Sequence, residues 1–196
     1  MAEGDIVRKL IVLSALFAGV SAFMVIQGLR MPGRSFAHPA GAEHQFTGDA
    51  GSWFQATKPY CNSVEAETRQ QWYPPPAGLE GTGYSAACYA LAGKIDRARE
   101  LILELKADDR WKAAGIVFGV GHPVADAGDD LSAGPIMELV VEFWPNHYMA
   151  LYHAGISSYQ LGEQAAAKQY LEDFLRHYDQ NDGWTTNARF VLDQIR

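Results

Sequence analysis

The residues best suited to chemistry lie together in one short stretch, GHPVADAGDD (121–130). This stretch carries four potential metal ligands, namely His122, Asp126, Asp129 and Asp130. Imidazole and carboxylate groups commonly bind divalent cations, yet their spacing fits neither a calcium-binding loop nor a zinc motif. We therefore expect no metal here and interpret the aspartates as caps of a helix that begins near Leu131. A small-ligand or metal-binding enzyme that uses this acidic loop is the alternative.

The other polar residues form no recognisable catalytic arrangement. His147 and His153 are six positions apart, which does not place them on one face of a helix. His177 is expected at the end of a helix, where a cation interacts favourably with the helix dipole. We find no nucleophile motif, no glycine-rich loop after a strand and no haem attachment motif in the sequence. We therefore expect no catalytic residue and no cofactor, and we predict that the protein is not an enzyme.

Cys61 and Cys88 are the only two cysteines in the sequence. They are too far apart for a redox motif, and no second pair is present to complete a metal site. Two interpretations stay open: they are ordinary buried thiols, or they form one disulfide bond in an oxidising compartment.

Composition limits the class of protein and of partner. The chain has 196 residues, of which 48% are hydrophobic, which is enough for one ordinary domain with a buried core and a short additional segment. Its formal net charge is −7, with no run of Lys or Arg. Nucleic-acid binding requires clustered cations that neutralise phosphates, so we expect no nucleic-acid partner.

Residues 10–29, LIVLSALFAGVSAFMVIQGL, are uncharged and lie between Lys9 and Arg30. Twenty uncharged, mostly apolar residues in a helix match the hydrocarbon layer of a bilayer, so we predict a transmembrane helix after a short tail at residues 1–9. A cleaved signal peptide is the rival interpretation, but its apolar region is usually shorter. We therefore expect a single-pass protein of a bacterial inner membrane. Because long domains cross membranes with little regard for nearby charge, its N-terminus would be cytoplasmic and its C-terminal domain periplasmic or otherwise exported.

Residues 30–61 contain Pro and Gly throughout and show no sustained helical period, which predicts a linker or an extended arm. The segment is rich in aromatic residues, so we expect part of it to lie against the domain, a neighbour or the membrane. A short helix is predicted at 62–73, with Asn62 as its N-cap and Glu65 completing a capping box. Three prolines at 74–76 end this helix.

Three glycines indicate a repeated unit in the remaining chain. Gly93, Gly128 and Gly162 lie 35 and 34 residues apart. Small, aromatic and aliphatic residues surround the first and third glycines at nearly the same helical spacings. These residues are Ala86, Tyr89, Ala98 and Ile102 around the first glycine, and Gly155, Tyr159, Ala167 and Leu171 around the third.

This pattern resembles the tetratricopeptide repeat (TPR), a helix–turn–helix unit of 34 residues in which small residues allow close helix packing. The resemblance implies an all-α fold with units at 79–112, 114–147 and 148–181, within a helical domain at 62–196. A capping helix at 184–195 would cover the last unit. Pro123 interrupts the first helix of the middle unit. The alternative is therefore an irregular bundle with two such hairpins, in which 121–130 form a long loop.

Ligands of this family commonly lie along the groove formed by the first helix of each unit. The resemblance carries this groove onto eight residues: Leu91, Phe118, His122, Asp126, Tyr152, Ile156, Tyr159 and Gln160. Lys and Arg are absent from this set, so the basic clamp with which some members hold a peptide carboxylate is not expected. The alternative for Tyr152 and Tyr159 is that they belong to the core.

Together these features predict a membrane-anchored scaffold that serves as an accessory or assembly subunit of a larger membrane complex. The anchor would hold the helical domain close to its partners and raise their effective concentration. Photosynthetic or respiratory complexes come first as candidates, followed by a protein-export translocon or envelope assembly. The expected partners are protein subunits and, through residues 10–29, the lipid bilayer.

Overall fold

The computed structural model describes residues 48–195, and these residues are all-α, as predicted. The nine α-helices of this part of the chain are α1 (Ala50–Thr57), α2 (Ala66–Trp72), α3 (Leu79–Leu91), α4 (Ile95–Glu104), α5 (Ala107–Asp126), α6 (Asp130–Phe143), α7 (Tyr148–Gln160), α8 (Gln164–His177) and α9 (Gly183–Gln194). A short 3-10 helix, Lys58–Tyr60, follows α1.

The predicted N-terminal tail, the transmembrane helix at 10–29 and the first part of the linker lie outside the described residues. From residue 48 to residue 195, no helix combines the length and the hydropathy that a membrane crossing requires.

Glycine turns join α3 to α4, α5 to α6 and α7 to α8. The glycines are those that the spacing singles out, and their φ angles are +72° at Gly93, +85° at Gly128 and +78° at Gly162. In each turn the backbone N–H of the third residue after the helix donates a hydrogen bond to the carbonyl five positions before it, as from Glu163 to Ser158 at 2.9 Å. This bond satisfies a carbonyl that the helix end would leave unpaired. A residue with a Cβ is strained at these φ values, so glycine is required to reverse the chain.

The middle helix pair differs from its predicted form. Helix α5 begins at Ala107, within the residues assigned to the first unit, and runs without a break to Asp126. The alternative in which 121–130 form a long loop is therefore wrong. Pro123 lies in the last turn of α5, where it removes only one helical bond, the one to Gly119. Gly119 is exposed, so water can reach its carbonyl.

Small residues set the spacing between neighbouring helices. A Cβ added to Gly155 of α7 would lie 2.7 Å from the side chain of Leu171 on α8. A Cβ added to Gly134 of α6 would lie 2.5 Å from the Cβ of Ser157 on α7. Real Cβ atoms do not approach so closely, so these glycines allow helices within and between pairs to pack together.

The N-terminal part of the described chain corrects the predicted linker. Residues 50–60 form α1 and the 3-10 helix, although they fall within the 30–61 segment. Trp53 and Phe54 are buried, and the ring of Phe54 stacks on Tyr84 of α3 at 5.0 Å. A disulfide joins Cys61 to Cys88 of α3, so the interpretation as free thiols is wrong.

Helix α9 covers the other end of the helix array. Its N-cap is Asp182, whose side chain accepts the N–H groups of Trp184 and Thr185. Helix α9 buries Ala188 and Val191 in a core cluster that also contains residues of α7 and α8.

Candidate functional site

Helix α5 carries three of the predicted groove residues on one face. Phe118, His122 and Asp126 follow at intervals of four, so their side chains succeed one another along the helix. The ring of Phe118 stacks on His122 with a centroid distance of 4.6 Å. His122 is partly buried, whereas the Asp126 side chain is 49% exposed. This face therefore runs from an aromatic interior towards solvent.

The predicted groove residues of α7 are placed differently. Tyr152 and Ile156 are 6% and 7% exposed, and they pack in the core beside α8 and α9. Asn187 of α9 donates a hydrogen bond to the Tyr152 hydroxyl at 2.6 Å, and burial raises the pKa of this tyrosine. Because α9 lies over them, these two residues belong to the core, as the alternative interpretation proposed for Tyr152.

The remaining predicted groove residues are scattered. Tyr159 and Leu91 are partly buried beside different parts of the core, and Gln160 is exposed at the end of α7. The structure therefore unites Phe118, His122 and Asp126 but forms no continuous open groove through all eight residues.

A pair of histidines joins α5 to α7 beside this face. The ring of His153 lies 5.1 Å from that of His122, edge to face. Each histidine has its own carboxylate: His122 Nδ1 is 3.4 Å from Asp126 Oδ2, and His153 Nδ1 is 2.9 Å from Asp130 Oδ1. The His153 side chain is buried and that of Asp130 is 15% exposed, while the His122 and Asp126 side chains are more exposed. We call these four residues the histidine cluster.

The second ring nitrogens of both histidines are also buried. Neither His122 Nε2 nor His153 Nε2 has a hydrogen-bond partner within residues 48–195. Burial lowers the pKa of His122; Asp126 opposes this shift and His153 adds to it. A buried nitrogen without a partner is unfavourable in a folded protein. These two nitrogens can therefore still form a bond, which no described residue supplies.

Aromatic residues continue from the histidine cluster to the surface. The ring centroids of Phe118 and His147 are 4.0 Å apart, and those of His147 and Trp144 are 4.6 Å apart. Trp144 in turn contacts Trp111, while Tyr148 stacks on Tyr178 at 4.8 Å. The aromatic ladder, as we name it, comprises Trp111, Trp144, His147, Tyr148 and Tyr178. Trp111 is 46% exposed and Tyr148 is 40% exposed, so its outer edge lies on the surface.

His147 also has a structural role at the start of α7. Its Nδ1 accepts the backbone N–H of Ala150 at 3.3 Å, which makes the imidazole the N-cap of this helix. An imidazole nitrogen accepts a hydrogen bond only when it carries no proton. Burial lowers the pKa of His147 and so favours the neutral form that caps the helix.

Sequence reasoning assigned Asp129 correctly and missed that His153 lies beside His122. Asp129 caps α6 by accepting the N–H of Ser132 at 3.1 Å, as expected for an acidic residue before this helix. Asp130, the next residue, is hydrogen-bonded to His153 instead. His153 lies outside the acidic stretch and off the repeat positions, so no local signal connects it with His122. The packing of α5 against α6 and α7 creates that proximity.

Comparison of the chain with models of known protein families, with curated proteins and with solved structures yields no match.

Proposed function

We propose that the protein is a membrane-anchored interaction scaffold, an accessory or assembly subunit of a larger membrane complex, rather than an enzyme. The resemblance of its helix pairs to TPR units and the apolar segment at 10–29 both favour this role. The single observation that carries the proposal is the aromatic ladder, because its exposed edge has the composition of a protein-binding surface.

Trp and Tyr dominate the binding energy of protein interfaces because they bury a large area and lose little conformational freedom. Trp111 and Tyr148 belong to different helices, yet each is held in place by an aromatic neighbour, Trp144 and Tyr178 respectively. This support restricts their movement before binding, which lowers the entropy lost on association. The ladder therefore suits an apolar or aromatic segment of a neighbouring subunit outside the bilayer.

The disulfide supports an exported location for the helical domain. Disulfide bonds persist in oxidising compartments such as the periplasm and are rare in the cytoplasm, and Cys61 is bonded to Cys88. Together with the apolar segment, this bond favours a single-pass inner-membrane protein whose helical domain faces the periplasm. Photosynthetic and respiratory complexes are the first candidates to test, ahead of the translocon and envelope assembly.

Affinity purification from native membranes in mild detergent, followed by mass spectrometry, tests the proposal. We expect the wild-type chain to retain a reproducible set of membrane-complex subunits and the Trp111→Ala/Tyr148→Ala variant to lose them. Phe190→Ala is the matched control, because Phe190 is an exposed aromatic residue of α9 outside the ladder. A wild-type chain that runs as a lone monomer and retains no subunit would refute the scaffold. Equal retention by all three chains would refute the role of the ladder.

A further inference from the structure

The histidine cluster brings three potential metal ligands together from two helices. His122 and Asp126 lie one turn apart on α5, and His153 reaches them from α7. Each offers one ligand atom, and these three atoms all lie within 4.8 Å of one another. The approach depends on how α5 packs beside α7, since 31 positions of sequence separate the two histidines.

The three ligand atoms need to move only a little closer together to match the separations found in a metal site. In tetrahedral zinc sites the ligand atoms lie about 2.0–2.1 Å from the metal and therefore about 3.4 Å from one another. The pair formed by His122 Nδ1 and Asp126 Oδ2 is already 3.4 Å apart. Rotation of the half-exposed Asp126 side chain and of the His122 ring can bring their ligand atoms closer to His153.

His153 has the orientation of a metal-binding imidazole. A carboxylate only accepts hydrogen bonds, so the bond of 2.9 Å to Asp130 places a proton on His153 Nδ1. Nε2 is then the nitrogen that can bind a metal ion, and this atom is buried with no partner among the described residues. Histidine ligands commonly donate their other N–H to a carboxylate in this way, which fixes the tautomer and increases the basicity of the ligand.

We propose that His122, Asp126 and His153 bind one divalent transition metal ion, with Zn²⁺ as the expected ion, and that Asp130 positions His153. Two imidazoles and one carboxylate are a donor set that Zn²⁺ accepts, with water in the fourth position. Asp126 faces solvent and provides the route of entry, while Phe118 and Trp184 shield the two imidazoles. The ion would join α5 to α7. This inference is independent of the proposed scaffold, because the two tests have different readouts.

Isothermal titration of the full-length, EDTA-treated chain with ZnCl₂ tests the site. We expect one Zn²⁺ per chain and an increase in the melting temperature on binding. His122→Ala and His153→Ala should abolish this binding. Asp130→Asn should weaken the affinity about 10–100-fold, as loss of a supporting carboxylate does in known metal sites.

Two matched controls separate the site from general effects of substitution. His177→Ala removes an exposed histidine of α8 distant in sequence from the cluster, and Asp129→Asn changes the neighbouring carboxylate but keeps a helix cap. Both variants should bind Zn²⁺ with wild-type affinity. Because loss of the buried His153 can unfold α7, circular dichroism checks each fold, and His122→Ala at a more exposed position is the decisive variant.

Visible absorption of bound Co²⁺ gives a second, spectroscopic readout. Ligand-field bands should appear with Co²⁺ in the wild-type chain and disappear in a folded His122→Ala variant. Absence of stoichiometric Zn²⁺ binding by the wild type would overturn the proposal. Unchanged affinity in folded His122→Ala and Asp130→Asn variants would overturn it equally.

Discussion

At the scale of single residues, the two histidine–aspartate pairs on α5 and α7 differ in how firmly they are held. His153 is buried, and its Nδ1 lies 2.9 Å from Oδ1 of the largely buried Asp130, whereas the Asp126 side chain beside His122 is half exposed. A buried, hydrogen-bonded imidazole retains one orientation, while an exposed carboxylate can move. The cluster therefore combines an imidazole of fixed orientation, His153, with a carboxylate that can move, Asp126.

The pKa of His147 leads to a prediction about pH and stability. Burial holds this pKa below its ordinary value of 6.5, so as the pH falls below about 6.5 the unfolded chain binds a proton that the folded chain resists. The free energy of unfolding should therefore decrease as the solution is acidified, and the lost stability is present above the unfolded-state pKa. His147→Asn keeps an N-cap acceptor but removes the titrating group. Urea unfolding in EDTA at about pH 7.5 and 5.5 should show a smaller decrease in the variant.

Some pH dependence should remain in the His147→Asn variant, because burial also lowers the pKa of His122. Equal losses of stability in the variant and the wild type would show that His147 does not contribute.

At the scale of helices, the contact between α6 and α7 depends on one missing side chain. A Cβ on Gly134 would lie 2.5 Å from the Cβ of Ser157, and closer still to its hydroxyl oxygen. Forced overpacking of this kind typically destabilises a protein by about 1–3 kcal/mol. This contact joins the second helix pair to the third and therefore affects the relative positions of α5 and α7.

We accordingly expect Gly134→Ala to lower the free energy of unfolding by about 1–3 kcal/mol, measured by urea denaturation. Gly134→Ala/Ser157→Gly removes the opposing Cβ and hydroxyl and should recover part of the loss. The single variant Ser157→Gly completes the double-mutant cycle and corrects for the effect of glycine within α7. Strictly additive effects would show that the two positions do not interact.

The helices also show which local structure a sequence can predict. The turns at Gly93, Gly128 and Gly162 follow from one glycine at regular spacing, because only glycine adopts positive φ without strain. The start of α5 was missed by seven residues, since Ala107–Ala113 continue the helical pattern without a breaker. Pro123 suggested a loop, but a proline in the last turn disrupts too little hydrogen bonding to end the helix.

At the scale of the whole molecule, the helix array is covered at both ends of the described chain. Helix α1 buries Trp53 and Phe54 beside α3, and α9 buries Ala188 and Val191 beside α7 and α8. An array of helix pairs needs such covers, because its last units would otherwise expose an apolar face. Tyr152 and Ile156 are consequently core residues, whereas Trp111 and Tyr148 of the aromatic ladder are exposed.

The disulfide should stabilise the N-terminal end of this array. It spans 27 residues between Cys61 and Cys88, and closing a loop of that length restricts the unfolded chain by about 3–4 kcal/mol in the chain-entropy model. Reduction of the wild-type chain should therefore lower its melting temperature. A Cys61→Ser/Cys88→Ala variant should melt near the reduced wild type and be insensitive to reductant. A melting temperature unaffected by reduction, with both thiols shown to be free, would contradict this prediction.

By itself, the sequence determined the helical class, the three glycine turns and the capping of α6 by Asp129. Each depends on residues within a few positions of one another, where backbone geometry and short hydrogen bonds decide the outcome. Only the tertiary structure decided the disulfide, the packing of α9 on Tyr152, and the contacts of His153 with His122 and Asp130. Those contacts join distant segments, and they follow from the lengths and close packing of whole helices, which no local pattern encodes.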